Sequence, residues 1–200
     1  MVLPIRLIAN SIKFLLGHLV GGSVKRKIKS QGDLDGACFL YSIANAVISL
    51  NSNVTPENWS DAIELLPNSQ LFLRQDVGTL AFDDDGEKLE KVAQRFINDL
   101  ADEVFTLKLY KTNRKNMQSL IDDDSVVIIC NPEHWFVVTE IYNDTAFIAC
   151  SDVLNSLGNL YIEELSTKFG HISNLKVKLN ELSVHGNMAF RVTKNNENFN

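Results

Sequence analysis

Cysteine is scarce in this sequence. Three occur among 200 residues: Cys38, Cys130 and Cys150. An odd, sparse set argues against a disulfide framework. Spacings of 92 and 20 residues match no compact zinc pattern. Such usage points to a reducing compartment. Uninterrupted apolar runs of membrane-spanning length are missing too, as are internal repeats and low-complexity tracts. Acidic residues are absent from residues 1–30, where Arg6, Lys13, Lys25, Arg26, Lys27 and Lys29 give a charge of +6. The whole chain carries −6, so the other 170 residues sum to −12. A body this acidic gives no nucleic-acid footprint, which needs a basic face on the domain itself.

What is present suits one globular domain: 45% hydrophobic and 22% charged residues. The chain divides into a basic head (1–27), a domain (28–193) and a loose polar tail (194–200). In the head, Ile5, Ile8, Ile12, Leu15, Leu16 and Leu19 share one helical face, and Gly21-Gly22-Ser23 ends that helix. Three readings of it stand: packing on the domain or a partner, lying on an anionic membrane surface, or serving as a targeting leader.

In the domain, Cys38 to Leu50 reads as the central helix, stopped by Asn51-Ser52-Asn53. Thr55-Pro56-Glu57 pairs a capping residue with proline at the first helical position and opens a second helix, which Pro67 closes. Residues 68–84 carry no clear period. Leu89, Val92, Ala93, Phe96, Ile97 and Leu100 line one face of a third helix. The period then changes. Val104–Tyr110 alternates, a short helix is expected over 113–121, and Ser125–Cys130 is a β-branched run typical of a buried strand. Trp135–Tyr142 and Thr145–Cys150 form a hairpin about Asn143-Asp144. Residues 158–182 are mixed, and Met188–Thr193 is the last strand. Helices first and a mostly antiparallel sheet afterwards make an α+β domain.

Chemistry concentrates around Cys38. It opens a helix, where backbone N–H groups and the positive end of the dipole favour the nucleophilic thiolate. Such a thiolate needs a base, and His134 begins the apolar strand His134-Trp135-Phe136-Val137-Val138. A three-residue hairpin loop of Tyr142, Asn143 and Asp144 sets His134 directly opposite Asp152, so the carboxylate can fix the ring and support the imidazolium. A two-residue turn shifts the pairing by one and sends the pair to opposite faces. For the oxyanion, the Cys38 N–H is one donor and the side-chain amide of Gln31 the natural second.

Gln31, Cys38 at a helix start, His134 in His-Trp-Phe-Val-Val and Asp152 at the end of the next strand together resemble the papain-like cysteine hydrolases. The pattern is most similar to bacterial peptidase C39-like domains and compact papain-fold effectors. The resemblance covers roughly residues 28–155. It implies a papain-like fold with Cys38 as nucleophile, His134 as base, Asp152 as orienting residue and Gln31 as oxyanion donor. Ala37 and Phe39 replace the usual glycine or tryptophan beside the cysteine, and Val153 stands where proline usually follows the aspartate.

The expected reaction is thiol-mediated hydrolysis of an amide, first of all in a peptide or protein, with no metal or organic cofactor required. A glutamine deamidase or transglutaminase runs on the same triad. Asp35-Gly36-Ala37-Cys38-Phe39 is also similar to the start of OTU-type deubiquitinases, but there the histidine lies near the domain's end and here 66 residues follow it. The non-enzymatic alternative is an inactive papain-like binding module. The expected location is the cytoplasm, or a host cytoplasm reached as a secreted effector. Cys130 and Cys150 read as inert core, and Asn131 and Asn155 as rival orienting residues. His18, His171 and His185 read as surface or packing residues without convergent partners. Asp83–Asp85 and Asp122–Asp124 lack the alternating ligands of a calcium loop and read as solvated turns.

Overall fold

The structure is a computed structural model and describes residues 28–31, 36–74, 76–79, 85–152, 164–165 and 168–195. The head and most of the tail lie outside these residues, as do Asn155, His18, Asp83 and Asp84. Among the described residues four helices come first: α1 (Cys38–Ser49), α2 (Pro56–Leu65), the single turn α3 (Ser69–Phe72) and α4 (Gly86–Leu100). Their ends follow local chemistry. The Thr55 hydroxyl accepts from the Asn58 N–H at 3.0 Å, with Pro56 at the first helical position of α2. Asp85 accepts from the Lys88 N–H at the start of α4, so the last residue of that acidic run is a helix cap.

Strands follow: β1 (Phe105–Lys111), β2 (Ser125–Cys130), β3 (Trp135–Tyr142), β4 (Thr145–Ala149), β5 (Glu164–Leu165), β6 (Ile172–Ser173), β7 (Leu175–Lys178) and β8 (Met188–Lys194). The helix expected over 113–121 is a short 3-10 turn, Met117–Leu120. Six strands form one sheet in the order β1-β8-β2-β3-β4-β7, with every pairing antiparallel, and β5 pairs with β6. The last strand therefore does not sit at a rim. It inserts between β1 and β2.

Both faces of the sheet are covered. Val126, Ile128, Trp135, Val137, Ala149, Phe190 and Val192 pack under α1, α2 and α4. Val127, Ile129, Phe136, Val138, Ile148 and Ala189 meet Met117, Ile121 and Leu182 on the other side. This is why Ser125–Cys130 is apolar at nearly every position and fully buried. The edge strand β1 is blunted by α4. The Gln94 side chain accepts from the Leu107 N–H at 2.7 Å and donates to the Phe105 carbonyl at 3.0 Å, while Glu90 accepts from the Leu109 N–H at 2.9 Å.

The hairpin differs from the expected three-residue loop. Asn143 (φ 47) and Asp144 (φ 58) form a two-residue turn, both in the left-handed region that a type I′ hairpin demands. Tyr142 pairs with Thr145, Ile141 with Ala146 and Glu140 with Phe147. A bulge at Thr139 then slips the ladder by one, so Val138 pairs with Ile148 and Val137 with Ala149. The ladder ends with this pair, in the register that a three-residue loop would have given, and beyond it Asp152 bridges Gln31. The two-residue turn and the bulge cancel.

The bulge is held from a distance. The Thr139 hydroxyl donates to the Phe147 carbonyl at 3.2 Å. Its own carbonyl faces Nδ1 of His171 at 2.8 Å, while His171 Nε2 faces the Asp123 carbonyl at 3.1 Å. His171 is thus not without convergent partners. It is fully buried, and its two ring nitrogens face carbonyl oxygens on separate segments. His185 is exposed, as expected.

Three rings fasten α1 to the sheet. Phe39 lies 4.8 Å from Trp135 and 5.3 Å from Phe190, and Trp135 lies 5.7 Å from Phe190, measured between ring centroids. Phe190 is fully buried in β8. Truncating it removes the ring that contacts both others, so Phe190→Ala is expected to cost about 3–5 kcal/mol in urea unfolding. A loss below about 1 kcal/mol would mean the cluster does not fasten the helix.

Candidate active site

The site is built where α1 begins and where β3 and β4 end. Ala37 offers no capping side chain and the first turn of α1 carries no acid, so within the helix itself nothing offsets the positive end of the dipole at Cys38. Cys38 is half-buried and therefore reachable. The turn before it depends on Gly36 packing backbone to backbone on Gly78. A Cβ on Gly36 would overlap the Arg74 carbonyl and lie 2.7 Å from the Gly78 Cα, and Gly78 itself has φ 49.

His134 is set by the turn between β2 and β3. The Asn131 side chain accepts from the N–H groups of Glu133 and His134 at 2.9 and 2.7 Å, and the Asn131 N–H donates to the His134 carbonyl at 3.0 Å. Asn131 thus serves this turn's backbone. The neighbours of Cys38 and His134 meet directly, since Phe39 stacks edgewise on Trp135.

Gln31 arrives on a segment laid beside the end of β4. Its N–H donates to the Ser151 carbonyl at 2.8 Å, and Gln31 and Asp152 form an isolated parallel bridge. Two asparagines hold these backbones, and the sequence reading missed both. On α1, fully buried Asn45 accepts from the Lys29 N–H at 2.6 Å and donates to the Lys29 carbonyl at 3.1 Å. Ahead of β7, Asn174 treats Cys150 in the same way, at 2.9 Å for each bond. Each side chain imitates a strand edge, one just before Gln31 and one just before Ser151-Asp152. A signal for Asn45 existed: an amide set between Ala44 and Ala46 on a buried helix must find partners. Nothing local marks Asn174.

Ser151, one percent exposed, is the meeting point. Its hydroxyl lies 3.4 Å from Oε1 of Gln31 and 3.4 Å from Nε2 of His134. Burial pushes the His134 imidazole below its ordinary pKa, and the Asp152 carboxylate pulls it back up. Cys150 is pushed up to about 11, mainly by burial, with the Asp152 and Cys38 charges adding to the rise. That coupling places Cys38, Cys150 and Asp152 in one electrostatic neighbourhood. Gln31, Cys38, His134 and Asp152 therefore gather at one end of the sheet, together with Ser151. Cys130 is buried.

The opposing influences on His134 give a titration test. By ring-proton NMR its midpoint should fall below that of a free imidazole. In Asp152→Asn the midpoint should fall further, because the charge that favours the imidazolium is gone while burial remains. A midpoint that rises or stays in the variant would show that the carboxylate does not act on the ring.

No family model matches the chain, and no curated protein matches it. Solved structures do. A double glycine motif protease from an AMS/PCAT transporter, crystallised with the leader peptide, superposes with a TM-score of 0.51 at 13% identity, over 88% of this chain and 97% of that one. The peptidase domain of Streptococcus ComA, a bifunctional ABC transporter involved in quorum sensing, gives 0.48 at 12% identity, over 85% and 99%. With its helical half, its antiparallel sheet and the first of these likenesses, the chain has the fold of the papain-like cysteine peptidases.

Proposed function

We propose that this chain is a cysteine peptidase whose nucleophile is Cys38. The carrying observation is convergence. Two stretches roughly a hundred residues apart in sequence, one with Gln31 and Cys38 and the other with His134 and Asp152, come together at one end of the sheet. His134 takes the Cys38 proton as sulfur attacks the amide carbonyl, forming the S–C bond. The oxyanion is met by the Cys38 N–H and the Gln31 amide. The C–N bond then breaks, the leaving nitrogen takes the proton from His134, and a thioester remains. Water, deprotonated by His134, hydrolyses it and restores the thiol. Asp152 stabilises His134 while it is charged.

A peptide is the first substrate to offer, since the fold neighbour is a double glycine motif protease seen with a leader peptide. Peptides containing a double glycine motif should be cut into two fragments with new termini by mass spectrometry, and Cys38→Ala and His134→Ala should abolish the cut. Release of ammonia with the chain intact would instead identify a deamidase.

Alkylation provides a test that needs no substrate. With a pKa of about 11, Cys150 is thiolate at only about one part in ten thousand at pH 7. Iodoacetamide should therefore modify Cys38 at least roughly tenfold faster than Cys150 or buried Cys130, and His134→Ala should remove the difference. Equal, slow labelling of all three would leave an inactive binding module.

A further inference from the structure

We propose that Ser151 is a positioning residue whose single hydroxyl hydrogen sets two choices at once: which nitrogen of His134 carries the proton, and which end of the Gln31 amide turns toward Cys38. The inference rests on the reading of Cys38, His134 and Gln31 given above. A hydroxyl has one hydrogen to donate and lone pairs to accept with. The Ser151 hydroxyl faces Oε1 of Gln31 and Nε2 of His134, each at 3.4 Å. When its hydrogen goes to the amide oxygen, Nε2 must be the N–H that donates back to Ser151. The free lone pair of His134 is then on Nδ1, at the far edge of the ring, ready for the Cys38 proton. The Gln31 NH2 is likewise turned away from Ser151, toward the forming oxyanion.

The opposite arrangement opens the way to both wrong choices. A Gln31 NH2 donating to Ser151 releases the hydroxyl hydrogen from the amide, and once that hydrogen goes to Nε2 the ring proton sits on Nδ1. The amide oxygen would then face the oxyanion. Neither group could do its work. Given to the amide oxygen, the one hydroxyl hydrogen thus favours the correct state of base and oxyanion donor together. Its own position is fixed. Ser151 is buried, its carbonyl accepts from the Gln31 N–H at 2.8 Å, and the preceding residue is clamped by Asn174. The contacts persist through the reaction, since an imidazolium still presents its Nε2–H to Ser151. Asp152 supplies charge and Ser151 supplies orientation.

The first test uses the wild-type protein. Long-range 15N–1H NMR at a pH above the His134 midpoint should find the Nε2–H tautomer, and finding Nδ1–H overturns the inference. Ser151→Ala should yield a mixture of tautomers and Ser151→Thr, which keeps the hydroxyl, should restore Nε2–H. The pH profile of Cys38 alkylation is the second readout. Ser151→Ala should lower the neutral-pH rate by roughly tenfold and change the shape of the profile, and Ser151→Thr should recover most of the loss. Peptide turnover should lose kcat with KM little changed. A fast wild type with an unmoved Ser151→Ala profile overturns this inference alone. A wild type in which Cys38 reacts no faster than Cys150 overturns the proposed function, and this inference with it.

Discussion

The edgewise contact between Phe39 and Trp135 ties the two halves of the molecule together. One ring follows Cys38 and the other follows His134, so the contact that buries apolar area also fixes the distance between two chemical groups. Phe190 completes the cluster from β8, which reaches that place only because the last strand inserts between β1 and β2. Packed interiors are close to crystal density and do not deform continuously. A helix start held this way presents Cys38 at one height over the sheet.

Most of the architecture was legible in the sequence because its signals are local. Thr55-Pro56 opens α2, apolar spacing marks α4, and the β-branched run of β2 requires burial on both faces. The gathering of Gln31, Cys38, His134 and Asp152 was legible for a partly mistaken reason. The expected three-residue loop is a two-residue turn, and Val138-Thr139-Glu140 looks like uninterrupted strand. The slip at Thr139 that repairs the register depends on His171, 32 residues away, taking the carbonyl that the bulge withdraws from the ladder. Such a partner has no trace in the strand's own pattern. The insertion of β8 was hidden for the same reason: strand order is a tertiary choice.

Four polar side chains, of which Asn45 and His171 are fully buried, share one task. Asn45 holds Lys29, Asn174 holds Cys150, Asn131 holds the turn into His134, and His171 holds the bulge. Each satisfies backbone groups where a ladder stops, which is where unpaired N–H and C=O groups cost most. The regular strands end on apolar packing, and the irregular ends that carry chemistry are finished by side-chain amides and an imidazole. Amides suit this work because one planar group both donates and accepts, as a neighbouring strand would.

Charge is arranged by opposition. The mouth of α1 favours negative charge on Cys38, while burial of His134 disfavours the positive charge that would accompany it. A fully solvated imidazole would titrate in bulk fashion and lose its tie to the sulfur. A fully buried one without a carboxylate would resist taking a proton at all. Asp152 sits between these limits, raising what burial lowers. On the proposed reading this balance lets the ring hold an imidazolium during attack despite its burial. The pKa of a general base decides how well it works, and here two opposed influences within one hairpin end act on it, burial lowering it and Asp152 raising it. Burial likewise pushes Cys150 up to about 11, which disfavours its thiolate, and on the proposed reading the helix mouth favours that of Cys38.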